Sequence, residues 1–189
     1  MIPKNIITEL FMYFARFPKR EGIYPLFNIG ESTIPGYNEL KTQVDNLTEH
    51  SLVDIDNYIF AANLEAVKAR VNNIAAGENY LFVDFGEIDF DIDQRNRHID
   101  SAALAISVAY RMNSFSADTI EQSLVFAHSF DKLVAIRNKI IEEQECQRWL
   151  KLISDNHRFV PLVSKDLSSL GWTMMFDREG YDTLGAKQI

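Results

Sequence analysis

A row of acidic residues is the feature of this sequence with the clearest chemical potential. Asp84 begins the row, and four further carboxylates follow at alternate positions, Glu87, Asp89, Asp91 and Asp93. Because successive side chains of a β-strand point to opposite faces, these four are predicted to share one face, spaced about 7 Å apart. Three interpretations are open: the solvated face of an amphipathic strand, an electrostatic surface within an assembly, or a metal-dependent hydrolytic site.

The spacing of the acidic row does not favour a metal site. Gln94 stands where a calcium-binding loop requires glycine, and apolar residues fill the gaps between the carboxylates. Two-metal sites gather their ligands from several elements, and no histidine or aspartate elsewhere is in an obviously matching motif. We therefore predict no metal and no cofactor, and keep a metal-dependent hydrolase using Asp84–Asp93 as the alternative.

Nucleophilic catalysis has equally little support. The single cysteine, Cys146, lies 18 residues after His128 on one predicted helix, which separates them by about 27 Å. One cysteine excludes an internal disulfide and a cysteine-rich zinc site. Neither a Gly-x-Ser-x-Gly motif nor a phosphate-binding loop occurs. The sequence predicts a protein that is not an enzyme.

Arg95, Arg97 and His98 form a basic cluster directly after the acidic row. They fall in a polar segment between two alternating runs, at the predicted tip of a β-hairpin. Such a tip is either solvated or pairs with an acidic face on a neighbouring copy, and we predict a subunit contact there.

Composition limits the classes of partner. The 189 residues include 19 basic and 27 acidic side chains, a net charge of −8, which argues against a protein that grips nucleic acid by its phosphates. Apolar residues make up 47% and charged residues 24%, as in globular domains. The sequence has no secretory signal pattern and no run of about 18 apolar residues. We expect a protein made in the cytoplasm, with no membrane contact.

The first third of the chain is the least regular. Apolar spacing over residues 2–17 predicts a helix that ends before Pro18. Residues 18–56 contain three prolines and no sustained period, so the prediction is a long irregular arm. Its aromatic residues are predicted to order the arm by touching a neighbouring subunit: Tyr24, Phe27 and Tyr37.

The rest of the chain predicts helices and strands in a defined order. The elements are a helix over 57–75, a hairpin of Tyr80–Asp91 with Ala102–Met112, a helix over Ile120–Gln144, and closing strands at Arg158–Ser164 and Gly171–Arg178. Gly86 marks a bulge or bend, and Pro161 an edge strand. Hairpin strands of this length span roughly 35–40 Å, so the hairpin is predicted to project towards a neighbour.

The predicted fold class is α+β, a mainly antiparallel sheet of about four strands with a long hairpin and helices packed on one face. The predicted divisions are 1–56 as an N-terminal helix plus irregular arm, 57–178 as the α+β core, and 179–189 as a polar tail.

The order of elements from Asn57 to Arg178, about two-thirds of the chain, resembles the tail-terminator and head–tail connector (neck) proteins of long-tailed bacteriophages. The resemblance is one of layout: helix, long hairpin, long helix and two closing strands. It implies a small non-enzymatic subunit that forms a ring, often of six copies, between tail-tube and connector proteins. Acidic side chains commonly line the DNA channel of such rings.

The resemblance implies a role for the acidic row. Glu87, Asp89, Asp91 and Asp93 would face a lumen, where like charge keeps passing DNA from sticking. The protein would be made in a bacterial host cytoplasm and reside in the virion. The 18–56 arm departs from the compact family pattern. It would form an additional contact with a neighbouring subunit. A small protein-interaction module with no viral role is a further alternative.

Overall fold

The chain folds as a β-sheet with helices on both of its faces. The structure, a computed structural model, describes residues 5–28, 32–86, 88–92, 98–113, 115, 118–146, 150 and 153–181, with the backbone alone at 88–92, 98–100 and 179–181. The helices are α1 (Ile6–Phe14), α2 (Arg20–Ile23), a 3-10 turn (Tyr24–Leu26), α3 (Tyr37–Asp45), α4 (Leu64–Val71) and α5 (Thr119–Glu143). The strands are β1 (Asn57–Phe60), β2 (Asn79–Asp84), β3 (Ile88–Ile92), β4 (His98–Arg111), β5 (Arg158–Ser164) and β6 (Ser169–Tyr181).

The sheet is mixed rather than antiparallel throughout. Its strand order is β1-β2-β4-β6-β5, and β3 pairs with β4 beyond the end of β2. β1 runs parallel to β2, and the other pairs are antiparallel. The α+β class is confirmed. The prediction of a mainly antiparallel sheet of about four strands is not exact, because the sheet has six strands and one of its pairs is parallel. Pro161 lies in β5 at the edge of the sheet, as predicted.

The predicted helix over 57–75 is wrong in its first part. Residues Asn57–Phe60 form β1, and the helix α4 begins only at Leu64, where the Asn63 side chain accepts a hydrogen bond from the Ala66 N–H. Adjacent residues Tyr58 and Ile59 are both almost fully buried, one on each face of the sheet. A short parallel strand covered on both faces reads as a continuous apolar run, and four residues are too few to reveal a period.

The long hairpin is confirmed. β2 and β3 together pair along β4, from Asn79 opposite Tyr110 to Ile92 opposite His98. Asp84 pairs with Ala105 and Ile88 with Ala102, so three residues on one strand face two on the other. This is a β-bulge, as the glycine predicted.

Gly86 makes the bulge possible. Its φ is +52°, and its N–H donates to Asp84 Oδ1 at 3.0 Å. A Cβ at this position would lie 2.0 Å from the Ala103 carbonyl oxygen, closer than any side chain can approach. The left-handed backbone and the close contact both require glycine.

Helices cover the two faces of the sheet unequally. One face packs against α1 and α5 in the main core, where Leu81, Val83 and Ile106 are buried. α4 lies on the opposite face, where its Val67 and Val71 share a second cluster with β1 and β2. The prediction of helices on one face only is therefore wrong, because the crossover between parallel strands β1 and β2 places α4 on the other side.

The segment predicted as an irregular arm supplies core residues. It contains α2, the 3-10 turn and α3, and it buries Ile23, Phe27, Val44 and Ile55 in the same cluster as the sheet. β6 also continues three residues past the predicted boundary at Arg178.

A charged link joins the ends of α1 and α5. The Arg16 guanidinium donates to both oxygens of Glu143, each at 2.8 Å, and also contacts Glu49. The side chains of Arg16 and Glu143 are 13% and 16% exposed. The hydrogen bonds from Arg16 lower the pKa of Glu143 from 4.5 to about 2, against the opposing effect of its burial.

Replacing Gly86 by alanine is expected to destabilise the protein by more than 2 kcal/mol, since the Cβ adds a backbone clash to about 1 kcal/mol of left-handed strain. Gly77→Ala is the matched control, because Gly77 has a φ of +88° but open space around its Cα. It is expected to cost about 1 kcal/mol. Urea unfolding of the two variants measures the difference. Equal costs would contradict the close-packed bulge.

Acid is expected to weaken the Arg16–Glu143 link. A folded-state pKa below the unfolded value stabilises the protein above pH 4.5, and this contribution is lost as the pH falls towards 2. Glu143→Gln should cost about 2 kcal/mol at pH 7, and much less near pH 2. Urea unfolding at pH 7, 4 and 3 tests this. A cost for Glu143→Gln that does not change with pH would show that the charge of Glu143 contributes nothing to stability.

Candidate functional site

The residues of the acidic row do not all lie on one strand: Asp84 ends β2, whereas Asp89 and Asp91 lie in β3. Asp89 pairs with Ser101 and Asp91 with Ile99, so both occupy positions on the same face of the hairpin. Glu87 and Asp93, which were predicted to share that face, lie outside the described residues. Asp84, which begins the row, pairs with Ala105 in β4.

The bulge keeps Asp84 and the β3 aspartates on one face. Without an extra residue, even-numbered Asp84 would lie opposite to odd-numbered Asp89 and Asp91. Because β4 positions 99, 101 and 105 share a face, their partners Asp91, Asp89 and Asp84 share it too. The side chains of Leu81 and Val83 are buried on the other face, in the main core.

β6 adds acidic positions that the sequence did not reveal. It pairs with β4 so that Ala103 faces Asp177 and Ser101 faces Glu179. Five acidic positions therefore share this face of the sheet, which we call the acidic face: Asp84, Asp89, Asp91, Asp177 and Glu179. The last two escaped the sequence analysis because they lie more than 80 residues from the row, and only strand pairing unites them.

The acidic face is open over the middle of β4 and β6. Ala103 and Asp177 are exposed, and Met175 is 45% exposed. The Ser107 and Thr173 hydroxyls hydrogen-bond across the two strands at 2.7 Å. Ser107 itself is buried, so the exposed part of this face lies at Ala103, Met175 and Asp177.

The predicted hairpin tip is described only at its end. His98 is the first residue of β4, where it pairs with Ile92. Arg95 and Arg97 lie outside the described residues. Their predicted contact with a neighbouring subunit stays a prediction.

The three predicted aromatic contact residues cluster in the N-terminal segment. Tyr24 is 40% exposed, whereas Phe27 is 8% exposed. The Phe27 ring contacts the rings of Phe11 at 6.1 Å and Tyr37 at 5.6 Å, both edge-on. Phe27 is therefore committed to packing within the chain, and its ring forms one wall of a pocket.

This pocket is apolar and has a volume of about 260 Å³. Side chains from α1, the segment after the 3-10 turn, α3 and the end of β1 line it, among them Phe11, Phe27, Tyr37, Leu40 and Phe60. None of the lining residues carries a charge. The pocket thus suits an apolar group.

The described side chains offer little catalytic chemistry. Among them, no group of three or more His, Cys, Asp or Glu residues could hold a metal ion. Cys146 is free and exposed. His157 is packed edge-on against Phe176 at 5.7 Å, and burial together with the charge of Arg137 lowers its pKa.

Comparison with family models, curated proteins and solved structures finds no match to this chain. Within the described residues, no helix is both long and apolar enough to span a bilayer.

Neutralising an exposed carboxylate of the acidic face is expected to leave stability within about 0.5 kcal/mol of the wild type, because exposed surface substitutions change stability little. Asp177→Asn is the test. The matched control is Asp56→Asn, since Asp56 accepts hydrogen bonds from Lys19 at 2.6 Å and from Asn79. That control should cost about 2 kcal/mol. Thermal or urea unfolding measures both. A large loss in Asp177→Asn would assign that carboxylate to the fold instead.

Proposed function

We propose that this chain is a non-enzymatic, ring-forming structural subunit of a phage virion, at the tail terminator or head–tail connector. The acidic face is the observation that carries the proposal. Several acidic positions share the face of the sheet that is open over β4 and β6, while the opposite face is packed against α1 and α5.

An acidic surface suits the wall of a DNA channel. Phosphates are repelled by a field of like charge, so DNA passes without being held. The net charge of −8 adds to the repulsion of the DNA phosphates. DNA would therefore traverse the ring without specific binding.

The sheet also has two different edges through which copies could join. β1 forms one edge, β3 lies on the same side of β4 past the end of β2, and β5 forms the other edge. Pro161 removes one N–H from β5, which discourages direct strand addition there. Contacts between copies would therefore use side chains around the edges. Tail-tube and connector proteins would contact the two ends of the ring.

Native mass spectrometry over a concentration series, with negative-stain images of the large species, tests this function. We expect one fixed copy number and a ring with a central hole. The basic residues Arg95 and Arg97 are the first substitutions to make, because charge reversal at a subunit contact should weaken the ring. The matched control is Lys68→Glu, at an exposed residue of α4.

A monomer at every concentration, together with stoichiometric magnesium or manganese binding that is lost in Asp89→Asn/Asp91→Asn, would contradict the proposal. That result would favour a metal-dependent hydrolase.

A further inference from the structure

The Arg20 guanidinium joins α2 to the end of α3 and to the turn that follows it. Its Nε–H donates to Nε2 of His50 at 3.2 Å, and a terminal N–H donates to the carbonyl of Asp45, the last residue of α3. An arginine side chain has donors only and stays charged in proteins. Nε2 of His50 must therefore be the acceptor, and the ring is neutral with its proton on Nδ1.

A proton on Nε2 of His50 would be unfavourable for two reasons. The imidazolium would lose the hydrogen bond from Arg20, and it would place a second positive charge beside the guanidinium. Nδ1 is buried, and no group in the described part of the chain accepts a hydrogen bond from it. Water therefore has little access to stabilise the charged ring.

The charged groups around His50 do not compensate for this cost. Burial of the ring, followed by the charge of Arg20, lowers the pKa of His50. Glu21 of α2 acts in the opposite direction, but its effect is the smallest of the three. Glu49, the neighbour of His50 in the turn, is engaged by Arg16, whose Nε donates to it at 2.9 Å.

The backbone around His50 is strained. Ser51 has a φ of +54°, in the left-handed region that is costly for every residue except glycine. The N–H groups of Ser51, Leu52 and Val53 donate to the carbonyls of residues 16–18, at 3.1 to 3.3 Å. A strained backbone persists only where surrounding contacts hold it. The segment 46–53 between α3 and β1 therefore depends on contacts such as the one between Arg20 and His50.

We propose that His50 is a proton-sensitive switch, which holds the 46–53 segment against α2 when neutral and releases it when protonated. This inference does not depend on the proposed ring. A pKa that is lower in the closed than in the open segment favours the closed form above pH 6.5, and that advantage is lost as the pH falls. A histidine with an ordinary pKa of about 6.5 is roughly 90% protonated at pH 5.5. One histidine can therefore increase opening by at most about tenfold at that pH.

Hydrogen exchange of the full chain at pH 7.5 and pH 5.5 tests the switch. After correction for the intrinsic change of exchange rate with pH, we expect the amides of residues 46–53 to exchange about three- to tenfold faster at pH 5.5. The amides of β4 should not change, because the sheet stays folded.

Two histidine substitutions separate the switch from a general effect of acid. His50→Gln keeps a side-chain oxygen that can accept from Arg20 but cannot be protonated at these pH values, so the pH dependence of the 46–53 amides should disappear. The matched control is His128→Gln, at an exposed residue of α5, which should leave that dependence unchanged.

Nuclear magnetic resonance of the wild-type imidazole nitrogens tests the protonation state without any substitution. At pH 7.5 His50 should show the tautomer with its proton on Nδ1, and it should titrate below pH 6.5. The opposite tautomer, or titration at or above pH 6.5, overturns the proposal.

Two exchange results also contradict the switch. One is a pH dependence of the 46–53 amides that persists in His50→Gln. The other is an equal increase in β4 and β6, which would reflect a general loss of stability, as protonation of His157 against Phe176 would produce.

Discussion

A single extra residue in the hairpin determines what each face of the sheet carries. The bulge at Gly86 shifts the alternation of β3 by one position relative to β2. Without it, positions 88, 90 and 92 would lie on the face opposite to the buried Leu81 and Val83. The same shift gathers the acidic positions on the opposite face. The core and the acidic face therefore depend on one glycine that tolerates a left-handed backbone against the Ala103 carbonyl.

The two faces differ because the helices are distributed unequally. The main core face is buried by α1 and α5, which the Arg16–Glu143 link holds together at their ends. Of the helices that the structure describes, α4 packs on the opposite face, at the β1–β2 end. Burial on one side supplies the stability, since apolar burial dominates folding. The other side carries the five acidic positions, together with Arg158, which pairs with Met175 on the same face.

The sequence predicts those parts of the fold that have a local signal. Alternation over Ile88–Ile92 and Leu104–Met112 reveals the hairpin, Gly86 its bulge, and Pro161 the edge position of β5. β1 has no such signal, because a four-residue strand buried on both faces shows no period. The packing of Ile23, Val44 and Ile55 escaped prediction as well, since these core residues lie on separate short pieces of the chain rather than on one long element.

The candidate surface follows the same rule. Asp89 and Asp91 were predictable because they alternate within one strand, whereas Asp177 and Glu179 join them only through the β4–β6 ladder. The pocket is lined by residues from four separate segments, so no local sequence pattern predicts it. Sequence reasoning therefore finds surfaces made by one element, and misses those that depend on long-range pairing.

Cryo-electron microscopy of the oligomer at saturating concentration tests the central claim most directly. The account predicts a ring in which the sheet face bearing Asp84 and Asp177 lines the central channel, with α1 and α5 away from it. A ring whose channel is lined by the α1 and α5 layer, or an assembly that buries Asp84 and Asp177 between copies, would contradict it.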